Sequence, residues 1–261
     1  MRVVRFIGNF FSGPSLQPMW ESLSKLARHR MNYGRGGVVG ESGEIFLLSY
    51  IARKFLPNGP VVVFDVGACV GEYTAHVRTV MQDRAVVYCF EPNRAAFSIL
   101  SETYRGDELI HCFHLGMGDK DGEEMLYCNA KAPLFASMYR GNTYQTDSVT
   151  QQSIRIATID SFCKSNNIDR IDLLKLDIEG HELKVLLGAS DMLKARRIGF
   201  IQFEFGDCNI SSRTYFKDFF DFLSPSYSIY RVLRRGLRSV RDYDESHEVF
   251  KVTNYLAVLK Q

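Results

Sequence analysis

The chain has 261 residues, of which 46% are hydrophobic and 24% are charged, and its formal net charge is +2. This length and composition suit one elaborated α/β domain with a sizeable core, and they argue against a disordered chain or two small domains. The nearly balanced charge gives no reason to expect a nucleic-acid partner.

The cysteines and the N-terminus bear on the compartment. Six cysteines, at positions 69, 89, 112, 128, 163 and 208, form no C-x-x-C pair, and we interpret them as reduced core thiols in a cytoplasmic protein. No run of about 18 apolar residues predicts a transmembrane helix. The apolar patch near the start is broken by Gly8 and Asn9, so we expect an amphipathic or partner-covering arm there, not a targeting signal.

The first elements are helical. Spaced apolar positions predict a helix at 19–32, and the glycine-rich MNYGRGGVVGESGE at 31–44 predicts a turn-rich piece. A second helix at 43–55 stops before Pro57. The glycine-rich piece, with Ser42 and Glu44, is interpreted either as a lid over a ligand or as an ordinary loop between helices.

Strands and helices alternate from residue 61 onward. The pattern predicts strands at 61–66, 85–91, 109–116, 125–129, 171–177, 198–205, 227–233 and 254–260, and helices at 72–81, 94–104, 158–166, 182–193 and 214–223. Such alternation predicts a mostly parallel, doubly wound α/β sheet, and two closing strands without a helix between them predict an antiparallel edge. We assign 1–56 to the helical arm and lid segment and 57–261 to the main domain.

In such a sheet, a ligand binds beyond the carboxyl ends of the strands. The first predicted strand ends in Asp65, Gly67, Ala68 and Gly71, where the glycines allow a tight turn and close backbone approach to a ligand. This is not the G-x-G-x-x-G pattern of dinucleotide sites, and Asp65 would disfavour a phosphate but favour a cation. The alternative interpretation is a bare tight turn.

The next strand ends in Glu91 and Pro92. Glu91 follows Gly71 by about 20 residues, the spacing at which a carboxylate meets the two hydroxyls of a ribose. Together the two strand ends describe an adenosine that carries a positive, phosphate-free group, which is S-adenosylmethionine. After the third strand, the segment 116–122, with Asp119, either borders the adenine or forms a hairpin turn.

The segments VVFDVGACVGEYT, CFEPNRAAF, TIDSFCKSNNIDRIDLLKLDIEGHE and TNYLAVL resemble those of the FkbM-type methyltransferases, a family of S-adenosylmethionine-dependent enzymes. The resemblance covers about 30–260, and KLDIEGHE is its most specific part. It implies a Rossmann-like class I methyltransferase fold, with a seven-stranded sheet, and O-methylation of a sugar, polyketide or related natural product. The chain departs from the usual family pattern at His114 and Gly116.

The segment KLDIEGHEL at 175–183 places acids and an imidazole at the end of the fourth main strand. If the chain stays extended beyond Asp177, then Asp177 and Glu179 project to the same side. His181 would follow at the start of the next helix, and Glu204, at the end of the fifth main strand, would face the same cleft.

An alcohol is nearly un-ionised at neutral pH, so a base or a metal must help to remove its proton. Two hypotheses stay open: His181 is a general base steered by Asp177 or Glu179, or Asp177, Glu179 and Glu204 hold a Mg²⁺ or Ca²⁺ ion. We expect Glu182 to be a solvated residue of the helix start, where acids are favoured by the helix dipole.

Two further features bear on partners. Phe135, Ala136 and Ser137 lie in a predicted polar loop that is suited to acceptor contacts. Five arginines make the tail basic, which favours an acidic or phosphorylated glycan, a peripheral contact with an anionic membrane or only a solvated edge; they are Arg231, Arg234, Arg235, Arg238 and Arg241. A homodimer is compatible with this pattern.

The leading hypothesis is an S-adenosylmethionine-dependent O-methyltransferase that acts on a hydroxyl of a carbohydrate-like or natural-product acceptor. One alternative is a nicotinamide-dependent oxidoreductase built on the same kind of sheet. The other is a non-catalytic module that keeps the fold and holds a partner through its N-terminal arm and basic tail.

Overall fold

The computed structural model describes residues 13–37, 39–54, 59–141 and 149–261, without the side chains of residues 39, 40, 54 and 135. The predicted arm before residue 13 lies outside the described residues, as does half of a polar loop that the sequence predicts at 140–153. The described strands are β1 (Val61–Val66), β2 (Ala85–Phe90), β3 (Ile110–Phe113), β4 (Gly116–Met117), β5 (Gly122–Asn129), β6 (Ala132–Ser137), β7 (Val149–Ala157), β8 (Ile171–Leu176), β9 (Ile198–Phe205), β10 (Tyr227–Leu233), β11 (Gly236–Val240) and β12 (Thr253–Leu259).

Helices flank these strands on both sides. They are α1 (Gln17–Arg30), α2 (Val39–Ser42), α3 (Glu44–Lys54), α4 (Glu72–Met81), α5 (Arg94–Thr103), α6 (Ile159–Ser165), α7 (Glu182–Leu187), α8 (Ser190–Lys194), α9 (Cys208–Ser212) and α10 (Phe216–Leu223). Short 3₁₀ turns occur at Pro14–Leu16, Gln82–Arg84 and Glu245–His247. Among the described residues, no helix is both long and apolar enough to cross a membrane.

The main sheet has the strand order β11-β10-β12-β9-β8-β1-β2-β3. Neighbouring strands from β9 to β3 pair in parallel, whereas β12 pairs antiparallel with both β9 and β10. The predicted fold class, a mostly parallel doubly wound sheet with an antiparallel edge, is confirmed. The expected number of seven strands is wrong for the described chain, because the residues after the turn at Gly236 fold back on β10 as an eighth strand, β11.

One face of the sheet packs on the helices after β7. Phe64, Leu174 and Phe203 are fully buried and share a core cluster with Phe162 of α6 and Phe219 of α10. The strands on this face read as continuous apolar runs because both faces of the parallel sheet are covered.

The opposite face packs on the helices from the first half of the chain. Leu47 and Leu48 of α3 are fully buried in a second cluster with Val63 and Leu173 of the sheet and Val77 of α4. The helix at 44–54, which we assigned to the N-terminal arm, thus covers the sheet directly.

A second sheet, with the order β4-β7-β5-β6, lies beside the carboxyl ends of the main strands. It buries a small cluster of its own, made of Leu126, Cys128, Ile154 and Ile156. The sequence pattern predicted only part of β5 here and neither β6 nor β7. The exposed face of β7 carries polar residues, and β6 contains Pro133, which disfavours a strand assignment.

Two other elements differ from the prediction. The helix predicted at 182–193 is two short helices, α7 and α8, separated at Gly188, where a Cβ atom would lie 2.0 Å from the Gly118 carbonyl oxygen. The strand predicted at 109–116 is interrupted between β3 and β4. At Gly188 the chain passes close to another segment, whereas after β3 it leaves the main sheet and Gly116 and Met117 pair with β7 of the second sheet.

The packing of α3 predicts a large effect of a core truncation in this helix. Leu47→Ala removes a fully buried side chain and is expected to lower the free energy of unfolding by about 2–5 kcal/mol, measured by chemical denaturation. Ile45→Ala, in the same helix at a position 42% exposed, is the matched control and should change it by less than about 0.5 kcal/mol. Equal small effects would mean that α3 does not contribute to the core.

Candidate functional site

The main sheet reverses its strand order between β1 and β8, and a cavity of about 300 Å³ opens at the carboxyl ends of these strands. This is where ligands bind in open α/β sheets. Apolar side chains form much of its wall, among them Val66, Phe90, Leu115 and Met117. Its polar side chains are Cys69, Glu91, Ser137, Asp177, Glu179 and Glu204.

The turn after β1 brings the backbone against the end of β8. Gly67 has a φ of 82°, and a Cβ atom there would lie 1.9 Å from the Asp177 carbonyl oxygen. Only glycine permits this contact, which closes the floor of the cavity between the two strands. Cys69 follows with a φ of 49°, and its N–H donates to Glu91 Oε2 over 2.8 Å.

Glu91 lies at the end of β2 and lines the cavity together with Pro92. Its second oxygen, Oε1, accepts the Asn93 N–H over 2.8 Å. Burial raises the pKa of Glu91 to about 7, although these backbone hydrogen bonds favour the charged form. The carboxyl group is thus held in place by the backbone on both sides and titrates near neutral pH.

Three other residues of the glycine turn do not line the cavity. Ala68 is buried in the core beneath the turn. Gly71 begins α4, and its carbonyl accepts the Tyr104 hydroxyl over 2.8 Å. Asp65 is fully buried and accepts the Thr74 hydroxyl over 2.7 Å, while its other oxygen faces the Lys175 ammonium at 3.2 Å. The cation that we expected beside Asp65 is thus a lysine of the chain.

Lys175 connects the buried face of the sheet to the cavity. Its ammonium lies 3.5 Å from Asp177 Oδ2, at the mouth of the cavity, and 4.8 Å from the centre of the Tyr73 ring. Burial alone would lower the pKa of Lys175, but the surrounding carboxylates, first Asp65 and then Asp177, raise it well above its usual range. The lysine therefore stays charged although it is buried.

The chain does not stay extended after Asp177. Glu179 has a φ of 57°, and its Oε2 accepts the Cys208 thiol over 2.7 Å. Glu204 lies across the cavity, where burial, reinforced by the charges of Asp177 and Glu179, raises its pKa well above the usual range. These acids face one cavity, as predicted.

The structure does not support the metal hypothesis. Within the described ranges, no three His, Cys, Asp or Glu side chains are arranged to hold a metal ion. Asp177, Glu179 and Glu204 do not form such a group, because Asp177 points to Lys175 and the turn at Glu179 directs its carboxyl group to Cys208.

His181 lies at the start of α7, as predicted, but it does not line the cavity. Its Nδ1 is 3.0 Å from the Tyr139 hydroxyl, and burial lowers the pKa of His181 to about 4. The imidazole is therefore neutral near pH 7 and packs behind the turn at 177–180.

Glu182 is not solvated, contrary to our expectation. It is 1% exposed, and its Oε1 accepts the N–H groups of Ile178 and Gly180 over 3.0 and 3.1 Å. Burial raises its pKa to about 7. Its carboxyl group is the internal support of the turn that presents Asp177 and Glu179.

Only part of the segment after the third strand contacts the cavity. Gly116 and Met117 line the cavity, whereas Asp119 does not and accepts the Lys184 ammonium of α7 over 2.7 Å. Ala136 and Ser137 also line the cavity, from strand β6 and not from the predicted loop.

Sequence reasoning missed several residues of the site and named Gly37 only as part of a possible lid. The missed residues include Lys175, Cys69 and Val252. Lys175 could have been found, because a lone lysine in an apolar strand two residues before Asp177 shares its face and must be paired when buried. The cavity contacts of Gly37 and Val252 depend on tertiary packing, since residues 34–37 run beside Val252.

The chain matches the family description "Methyltransferase FkbM domain" over residues 65–232, which span β1 to β10. The chain belongs to this methyltransferase family. The match includes Glu91, Asp177 and Glu204, and it favours a methyltransferase over a nicotinamide-dependent oxidoreductase. The domain has the Rossmann-like class I methyltransferase fold that the sequence predicted.

One curated relative is the hexuronic acid methyltransferase AglP of Haloferax volcanii, which is 26% identical over 135 residues, or 51% of this chain and 52% of AglP. The chain thus spans about half the length of this relative. Solved structures overlap more loosely. A methyltransferase FkbM from Methylobacillus flagellatus has a TM-score of 0.49 at 18% identity, covering 80% of this chain and 47% of that chain.

The plantazolicin methyltransferase BpumL, in complex with SAH, has a TM-score of 0.45 at 9% identity, covering 96% of this chain and 92% of that chain. Family membership rests on the sequence match over residues 65–232 and not on these structural overlaps.

Because the ion pair of Lys175 and Asp65 is buried, we expect a lysine substitution there to lower the free energy of unfolding more than one at an exposed ion pair. Lys175→Met leaves Asp65 buried without its cation and is expected to destabilise the protein by about 3–5 kcal/mol. Lys184→Met breaks an ion pair whose side chains are 47% and 32% exposed, and it should cost less than about 1 kcal/mol. Chemical denaturation of both variants checks this, and a loss as small for Lys175→Met as for the control would show that Asp65 does not depend on the lysine.

Proposed function

We propose that the protein is an S-adenosylmethionine-dependent O-methyltransferase that acts on a hydroxyl of a carbohydrate-like acceptor. The observation that carries this proposal is the cavity at the reversal of strand order. There, in a chain of the FkbM family, Gly67, Glu91 and Asp177 lie at the ends of three neighbouring strands.

The residues of the cavity fit such a cofactor. Each oxygen of Glu91 accepts one backbone N–H and has a further lone pair for a ribose hydroxyl. Met117 and Leu115 offer an apolar wall for an adenine. The carboxyl groups of the cavity favour a sulfonium and disfavour a pyrophosphate.

Bound S-adenosylmethionine supplies an electrophilic methyl group on a sulfonium. We propose that Asp177, at the end of β8, accepts a hydrogen bond from the acceptor hydroxyl and orients its oxygen for in-line attack. The acceptor oxygen would take the methyl group as the bond between this group and sulfur breaks, which would leave S-adenosylhomocysteine, and the proton of the hydroxyl would pass to the Asp177 carboxylate. The Lys175 ammonium fixes the position of this carboxylate, 3.5 Å away.

His181 is a poorer choice of base. Its ring is directed to Tyr139 and does not line the cavity, and its low pKa makes it a weak proton acceptor. Glu204 faces the acceptor side of the cavity, and its raised pKa suits a protonated carboxyl group that donates a hydrogen bond.

The acceptor class is supported by one relative. AglP is described as a hexuronic acid methyltransferase and matches half of this chain. A sugar hydroxyl also agrees with the polar side of the cavity, where Ser137 lies near the acids.

Cofactor binding gives the first test. Calorimetric titration should show micromolar affinity for S-adenosylhomocysteine, reduced at least about tenfold in Glu91→Gln, since a hydrogen bond to a charged group is worth about 1.5–3 kcal/mol. Because only ionised Glu91, with its pKa of about 7, accepts both ribose hydroxyls, affinity should rise from pH 6 to pH 8 in the wild type and stay flat in the variant.

The exposed Glu72 at the start of α4 provides the control, and Glu72→Gln should bind as the wild type does. If neither S-adenosylmethionine nor S-adenosylhomocysteine binds the wild type, the proposed cofactor is wrong.

The chemical step gives the second test. Asp177→Asn is expected to reduce methyl transfer to a panel of neutral and acidic sugars about 10²- to 10⁴-fold, while the affinity for S-adenosylhomocysteine changes by less than about threefold. Asp207→Asn alters an exposed carboxyl group near the same edge and should retain activity. Transfer from labelled cofactor measures both, and full activity of Asp177→Asn would remove this residue from the mechanism.

A further inference from the structure

A second, larger cavity of about 1150 Å³ lies between α1, the β10–β11 hairpin and residues 241–251. We call it the basic groove and define it by Arg28, Tyr33, Arg231, Arg238, Arg241 and Lys251. It is separate from the cavity at the ends of β1 and β8 and takes no part in the proposed transfer step.

The cations of the basic groove lack acidic partners. Five of its six defining residues are positively charged, and in the described ranges none of these five is within ion-pairing distance of a carboxylate. The acids on its wall are Asp242, Glu245 and Glu248. Glu248 is occupied elsewhere, because it accepts the N–H groups of Phe216 and Lys217 over 2.9 Å each.

Two arginines of the basic groove lie close enough for their positive charges to repel each other. Arg231 and Arg238 are directly opposite in the antiparallel β10–β11 ladder, so both project to the same face, and like charges at such positions repel. The Arg231 guanidinium lies 4.2 Å from the centre of the Tyr33 ring and donates to its hydroxyl, while its buried Nε has no hydrogen-bond partner. An anion between the arginines would offset the repulsion and accept hydrogen bonds from their terminal guanidinium N–H groups.

The basic groove is next to the cofactor cavity. Tyr33 and Lys251 line the groove, whereas Gly37 and Val252 line the cavity. These two short segments run together, since the N–H groups of Gly34 and Gly36 both donate to the Val252 carbonyl over 3.0 Å. One thin wall thus separates the two spaces, and an extended acceptor can contact both.

From this arrangement we infer that the basic groove binds a carboxylate or phosphate group of a glycan acceptor while the reacting hydroxyl lies in the cofactor cavity. The inference deepens the proposed function and rests on it for the identity of the reaction. Arginine suits this role, because its planar fork donates two hydrogen bonds to a carboxylate or phosphate at once.

The test uses three disaccharides that differ at one position: cellobiose, cellobiouronic acid and cellobiose 6′-phosphate. Each is titrated into the full chain by calorimetry, with and without S-adenosylhomocysteine. At least one charged disaccharide is expected to bind about tenfold or more tightly than cellobiose, with an affinity that falls as salt is added. The better of the two charged probes identifies the carboxylate or the phosphate as the source of the anion.

Two variants locate the binding. Arg238→Gln, at an exposed position of the groove, should weaken the charged probe about tenfold and leave cellobiose unchanged. Arg235→Gln, at the turn of the same hairpin and outside the groove, is the matched control and should bind as the wild type does.

Equal affinity for all three disaccharides, or equal loss in the two variants, would overturn the inference. The titrations without cofactor report on the groove alone. The affinity for S-adenosylhomocysteine, which Arg238→Gln should not alter, separates a failure of the groove from a failure of the proposed cofactor.

Discussion

The charge of Lys175, buried between the carboxylates of Asp65 and Asp177, is the interaction on which the site depends. A buried ammonium is tolerated only with close anionic partners, so the paired strands β1 and β8 must keep the register that sets Asp65 opposite Lys175. The same row continues to Gln202 on β9, whose amide donates to Glu44 of α3 over 2.8 Å. One row of polar side chains therefore connects helix α3, the strands β9, β8 and β1, and the mouth of the cavity.

The buried glutamates around the cavity all have raised pKa values. Burial raises the pKa of Glu91, Glu182 and Glu204, and the charges of neighbouring carboxylates raise that of Glu204 further. Backbone N–H groups hold Glu91 and Glu182 in place. Near neutral pH, some of these carboxyl groups are therefore protonated. The cavity is then less negative than it would be if all of its acids were ionised. In the proposed function, the positive charge of the cofactor would complement these acids, and the apolar residues of the lining would contact its adenine.

The sequence predicted the main sheet well, because buried parallel strands such as Val61–Val66 and Ile171–Leu176 are continuous apolar runs. It predicted the strand ends that carry Glu91 and Asp177 for the same reason. It failed where tertiary contacts decide. Glu182 was expected in solvent, but the turn at 177–180 needs its carboxyl group as an acceptor. The polar residues on the exposed face of β7 interrupt its apolar pattern, and β6 contains Pro133, which disfavours a strand assignment. Asp65 was expected to contact the cofactor, but the sequence does not reveal the register of β1 and β8 that sets Asp65 opposite Lys175.

The position of β12 has a consequence for the order of folding. This strand, the last one described, is inserted between β9 and β10, so both of these neighbours present unpaired edges until residues 253–259 have left the ribosome. Exposed strand edges invite pairing with other chains. The wall contributed by Val252 is also missing until then. The cavity at the ends of β1 and β8 is thus completed only after β12 has paired, and a nascent chain that has folded β1 to β9 has the parallel part of the sheet but not yet this wall.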